Sequence, residues 1–82
     1  MNATKLNELL SECDTRYQQR RETQPCGNCR AYDVSQFLIE LSLSDEDREE
    51  VYVRWSIRQF GFIINVPTEN DRQNLMKKYG LA

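Results

Sequence analysis

Eight residues, Val51 to Arg58, constrain the fold of this chain more than any others. Val51, Val53, Trp55 and Ile57 alternate strictly with Tyr52, Arg54, Ser56 and Arg58. Successive side chains of a β-strand point to opposite faces, and β-branched and aromatic residues suit a pleated surface. On a helix the same apolar residues would scatter around the cylinder, with Arg54 and Arg58 on one stripe. Ile39, Leu41 and Leu43 alternate with Glu40, Ser42 and Ser44 in the same manner. Phe62, Ile64 and Val66 do so after Gly61. The pattern predicts three short antiparallel strands, joined by the polar Ser44–Glu50 connection and a tight turn around Gln59–Gly61. A helix from Ser44, with acidic residues in its first turn, is the competing reading.

The flanks have helical period. From about Thr4 to Glu22, Leu6, Leu9, Leu10, Cys13 and Tyr17 share one face, with Thr4 as an expected N-cap. Pro25 and Gly27-Asn28 end that segment. Near the C-terminus Thr68 can cap a helix that has Glu69 and Asp71 in its first turn. Leu75, Met76 and Tyr79 supply its apolar face, Lys77 and Lys78 its last turn, and Gly80 its stop. The expected fold is α+β, one small domain over residues 1–82: an N-terminal amphipathic helix, a three-stranded antiparallel meander and a C-terminal helix.

A domain of 82 residues buries only about 60–65% of its surface on folding, so a stabilising ligand is worth seeking. Histidine is absent, which excludes Ser-His and Cys-His nucleophile systems and HExxH zinc hydrolases. The glycines, Gly27, Gly61 and Gly80, are too scattered for a phosphate-cradling loop. These absences argue for a non-enzymatic protein. A net charge of −2, from 11 Lys+Arg and 13 Asp+Glu, is too weak for a nucleic-acid coat or a DNA mimic. The longest strictly apolar runs, Phe37–Ile39 and Phe62–Ile64, are far short of a signal segment or a bilayer span. With an odd number of cysteines, three, the chain is expected in a reducing cytoplasm.

Cys26-Gly27-Asn28-Cys29 is the most distinctive local feature. Two thiolates at this spacing can share one tetrahedral metal, and zinc is the one cofactor the sequence leaves open. Cys13 is the only further thiol, so Asp14, Asp33 or a second chain would have to complete a four-ligand shell. Cys13 also sits on the apolar helix face, where it reads better as core than as ligand. A redox role needs a cysteine at a helix N-terminus. In this pattern the pair follows a helix, with Arg30 and the start of the next element supplying some positive potential. Two ordinary thiols in a loop is the plainest reading.

On the expected sheet, Tyr52, Arg54 and Arg58 share the outer face with Ile63. A tyrosine, two arginines and an isoleucine make the composition of a protein-binding surface, set against a merely solvated face. The basic Arg16, Arg20, Arg21 and Arg30 suit a helix C-terminus, and the acidic run Asp45–Glu50, interrupted by Arg48, a solvated connection.

In overall length and character across the chain, with no family motif set against PCGNC or VYVRWSIRQFGFIINV, the protein resembles the small accessory proteins of enteric phages and plasmids. Among these it is most similar to the modulators of a temperate phage's lytic repressor. The resemblance carries no motif, so it transfers no site residues. It implies a corepressor in the host cytoplasm: a protein that binds a DNA-bound transcriptional repressor and strengthens its hold on operators, touching DNA indirectly. A zinc-stabilised nucleic-acid-binding module using Cys26, Cys29 and the sheet arginines is the alternative, and a small inhibitor of a host protein a further one.

Overall fold

In the computed structural model, which describes residues 1–81, four helices follow one another: α1 (Ala3–Gln19), α2 (Gly27–Glu40), α3 (Asp45–Phe60) and α4 (Glu69–Lys78). Among the described residues there is no strand, so the meander does not exist and the α+β expectation is corrected to an all-helical fold. The physical reason lies in α3. Two residues along a helix turn the side chain by about 200°, nearly to the opposite side. Val51 and Trp55 are one i,i+4 pair, and Val53 and Ile57 are another on the far side. Interleaved, two such pairs spell out perfect alternation. Val51, Val53 and Trp55 are all fully buried, because α3 has neighbours on both sides.

Local signals agree with that helix. Ser44 Oγ accepts the Asp47 amide at 3.1 Å, with Asp45, Glu46 and Asp47 in the first turn, an N-cap plus negative charge at the positive end of the helix dipole. Gly61 ends it in the left-handed region at φ 82°, donating its amide to Ile57 O at 2.8 Å, the usual glycine stop. The Ser44–Glu50 segment, expected to be a solvated connection, is the head of this helix.

α1 is capped by Asn2, whose Oδ1 accepts the Lys5 amide at 2.8 Å, two residues before the expected Thr4. It buries Leu9, Leu10, Cys13 and Tyr17. α2 buries Ala31, Val34 and Leu38, at i, i+3 and i+7. α1, α2 and α3 pack against one another around these residues, Val51, Trp55 and Ile64. The Trp55 ring meets Tyr17 and Phe60 edge-on at 5.5 and 5.6 Å. Its indole N–H donates to Asp14 Oδ1 at 2.8 Å, so the buried ring leaves no orphan donor.

None of α4's ten residues is fully buried, and polar contacts hold its end. Val53 shares a stripe of α3 with Glu46, Glu49 and Glu50. On that side Tyr79 Oη donates to Glu49 Oε1 at 2.6 Å, Lys78 Nζ to the same oxygen at 2.8 Å, and Arg54 to Tyr79 O at 3.2 Å. Arg72 reaches back to Ile63 O at 3.3 Å and Val66 O at 3.0 Å, clamping the segment between α3 and α4. No helix is long and apolar enough to cross a membrane, among the described residues.

Candidate functional site

The four residues expected to form one partner-binding face do not share a surface. Tyr52 is half-buried beside Trp55, with its hydroxyl 3.4 Å from Ile64 O. Burial raises its pKa. Arg54 pairs with Glu50 at 2.9 Å and holds Tyr79. Arg58 is exposed and pairs with Asp14 on α1 at 3.0 Å. Ile63 is 1% exposed and presents no surface at all. The expected face followed from strand geometry; on the helix Tyr52 stands nearly opposite Arg54 and Arg58, which share a stripe and turn to Glu50 and Tyr79 and to Asp14 respectively.

The cysteines are also placed differently from the pattern. Cys13 lies fully buried in the core, where burial first, then Asp14 and Glu12, pushes its thiol up to about 12. It is a packing residue, not a ligand. Cys26 and Cys29 are exposed, and all three cysteines are free thiols. No group of three or more Cys, Asp or Glu side chains comes close enough to hold a metal ion among the described residues. Zinc would therefore find two thiols of the four ligands that a closed site takes.

The pair does not lie in a loop. Cys26 is the N-cap residue of α2, with extended backbone at φ −71° and ψ 126°, and Cys29 falls in the first turn. Cys26 stands at the free backbone N–H groups that open α2, with no capping hydrogen bond to its side chain. Those N–H groups, together with the neighbouring Cys29 thiol and the Arg30 charge, lower its pKa. Cys29 moves the other way, raised chiefly by sharing its proton with Cys26. Gly27 is the first helical residue and has no positive φ, so no special backbone conformation is needed there.

The basic cluster at the end of α1 is largely internal bracing. Arg30 lies over the Tyr17 ring at 4.4 Å and donates to its hydroxyl at 3.1 Å. Arg20 stands 3.5 Å from Asp33, and Arg16 lies over Phe37 at 5.6 Å. These contacts draw positive charge away from any role in phosphate binding.

What the alternation concealed is the outward side of α2. The exposed large hydrophobic residues are Met1, Tyr32, Ile39, Leu41 and Phe62, and three of them lie on α2 or at its end. Tyr32 is 61% and Ile39 48% exposed. On the opposite flank of α2 from Tyr32 and Ile39, a separate groove of about 480 Å³ lies between α1 and α2. Phe37 and Leu41 give it an apolar floor, and Glu12, Arg16 and Gln19 a polar rim. The signal that could have found this surface was the Ala31, Val34, Leu38 spacing, which marks a helix and so places Tyr32 and Ile39 outside. No family model, curated protein or solved structure matches the chain.

Proposed function

We propose that this chain acts by binding another protein through the exposed face of α2 that carries Tyr32 and Ile39, the partner being a DNA-bound transcriptional repressor. One observation carries the binding surface: Tyr32 and Ile39, two turns apart on one face of α2, both stand exposed. An aromatic and an aliphatic side chain exposed on one helical face suit the apolar centre of a protein interface. The repressor as partner comes from the resemblance to phage repressor modulators. A net charge of −2 and a pI near 5.1 suit a protein that touches the repressor rather than its operator. Such a modulator binds the operator-competent state of the repressor better than the free state, and tightens operator binding by the same factor.

The nucleic-acid alternative draws no support from the arrangement, because Arg54 and Arg58 are engaged with Glu50, Tyr79 and Asp14. The test is a titration of labelled operator DNA with a temperate phage's lytic repressor, at fixed salt, with and without this chain. A coupling of about 1–3 kcal/mol would tighten operator binding roughly 5- to 150-fold. Ile39→Asp, at an exposed position, should stay helical and lose the effect, and the chain alone should leave the DNA unbound. An unchanged operator affinity, or full activity in Ile39→Asp, would refute the proposal.

A further inference from the structure

The dithiol at the head of α2 takes no part in the core, shares only Tyr32 of its surroundings with the proposed partner face, and its setting is chemically specific. Cys26 caps the helix and Cys29 lies three residues on, in the first turn. Arg30 N–H donates to Cys26 O at 3.1 Å, closing the first turn around the pair, and Cα atoms three residues apart on a helix lie about 5 Å apart, within the span of roughly 4.4–6.8 Å that a disulfide bridges. Both side chains are exposed and both are free thiols. Cys26 is the N-cap residue at the open amide end of α2 and Cys29 lies inside the first turn, so the two sulfurs are inequivalent by position. An open groove of about 500 Å³ runs up to Cys29, walled by Gln24, Asn28, Tyr32, Asp33 and Asn65. Its side-chain amides offer donors and acceptors to a peptide backbone, Asp33 a partner for an ammonium group, and Tyr32 a ring for apolar contact. Cys13, shut in the core, cannot take part.

We propose that Cys26 and Cys29 form a thiol–disulfide exchange site whose substrate is a small peptide disulfide of the oxidised-glutathione type, seated in the groove beside Cys29. The Cys26 thiolate attacks one sulfur of the substrate disulfide. The substrate S–S bond breaks, one substrate thiolate leaves and takes up a proton, and Cys26 is left in a mixed disulfide. Cys29 then gives its proton to solvent and attacks the Cys26 sulfur. That expels the second substrate thiolate and closes the Cys26–Cys29 disulfide. One substrate disulfide is reduced to two thiols, and the protein dithiol is oxidised by the same two electrons. The low thiol pKa of a helix N-terminus speeds the first step, and a neighbouring thiol makes the second intramolecular.

The experiment incubates the full chain with oxidised glutathione, quenches with an alkylating agent and reads the mass of each cysteine peptide. Wild type should lose two hydrogens across Cys26–Cys29 and add no glutathione, with Cys13 alkylated only after denaturation. Cys29→Ser should trap glutathione on Cys26, whereas Cys26→Ser should react at Cys29 about ten-fold more slowly. Both positions are exposed, so the variants should keep the wild-type circular dichroism. Three results would each overturn the assignment: no intramolecular disulfide in wild type, equal rates in the two variants, or a zinc ion found on the purified chain that holds both sulfurs. None depends on whether the α2 face binds a repressor.

Discussion

Replacing Asp14 with alanine probes the contact that ties α1 to α3 through the centre of the fold. Asp14 Oδ1 accepts the indole N–H of fully buried Trp55 at 2.8 Å, and Oδ2 pairs with Arg58 at 3.0 Å. The two contacts should differ sharply in weight. A hydrogen bond to a charged acceptor contributes about 1.5–3 kcal/mol, and stranding the buried N–H costs about as much as the bond contributed. Arg58 is 54% exposed at its side chain, so its pair with Asp14 should contribute at most about 1 kcal/mol. Asp14→Ala should therefore destabilise by about 2–3 kcal/mol, a fall in Tm of roughly 8–20 °C for a domain of this size. Asp14→Asn, which keeps a carbonyl acceptor, should cost about 1 kcal/mol, and Arg58→Ala less. Urea unfolding followed by far-UV circular dichroism gives the free energies. A double-mutant cycle with Trp55→Phe should return a coupling of about 1–2 kcal/mol. If Asp14→Ala changes stability by less than about 0.5 kcal/mol, or Arg58→Ala costs as much, the indole contact is not what joins the helices.

Other perturbations test separate parts of the fold. Gly61→Ala should cost about 1–2 kcal/mol in denaturant unfolding, since φ is +82°. At Gly27, an added Cβ meets Tyr17 Oη at an ordinary 3.6 Å, so Gly27→Ala should be neutral or stabilise by about 0.5 kcal/mol; equal losses at the two positions would contradict the assigned backbone. Arg72→Lys should lose the fork that holds Ile63 O and Val66 O and speed proteolytic cutting within residues 62–67, whereas an unchanged cutting rate would mean the clamp is idle. Burial and then Glu49 push Tyr79 from 10.0 up to about 12, and burial lifts Cys13 from 9.0 to about 12. Folded values above the unfolded ones mean that their contribution is intact below about pH 9 and is lost as the pH rises toward 12. Thermal unfolding should reveal that fall, and stability that stays level to pH 11 would refute it. Glu49 works in the opposite sense: Lys78 and Tyr79 lower its pKa, so its share is present above the ordinary value near 4.5 and fades as the pH falls through the folded value.

Punctuation along the chain was legible, and it lay in residues whose role is decided by their immediate neighbours. Ser44 and Thr68 announce helix starts because a hydroxyl reaches an amide three residues on, at 3.1 Å in both cases. Gly61 ends α3 because only glycine takes a left-handed backbone without strain. For α1, the leucine, cysteine and tyrosine spacing identified the face that is buried. The expected partner face goes with the strands: once Val51–Arg58 is helical, Tyr52 parts from Arg54 and Arg58, and Ile63 falls inside the molecule. The CxxC spacing was visible, but its position at a helix start depended on α2, whose residues from Ile39 onward had been assigned to a strand.

By itself, then, the sequence determined a small chain of capped and punctuated segments, with no histidine chemistry and a paired thiol between Pro25 and Arg30. Tertiary structure alone decided between strand and helix at Val51–Arg58. Alternation reports burial on two opposite sides, and it does not say whether the opposition comes from a pleat or from two interleaved helical pairs. A helix with one covered side shows its period of 3.6; α3 has α1 and α2 on one side and the α4 end on the other. Its apolar residues therefore answer to two partners at once, and that arrangement exists only after the helices have come together.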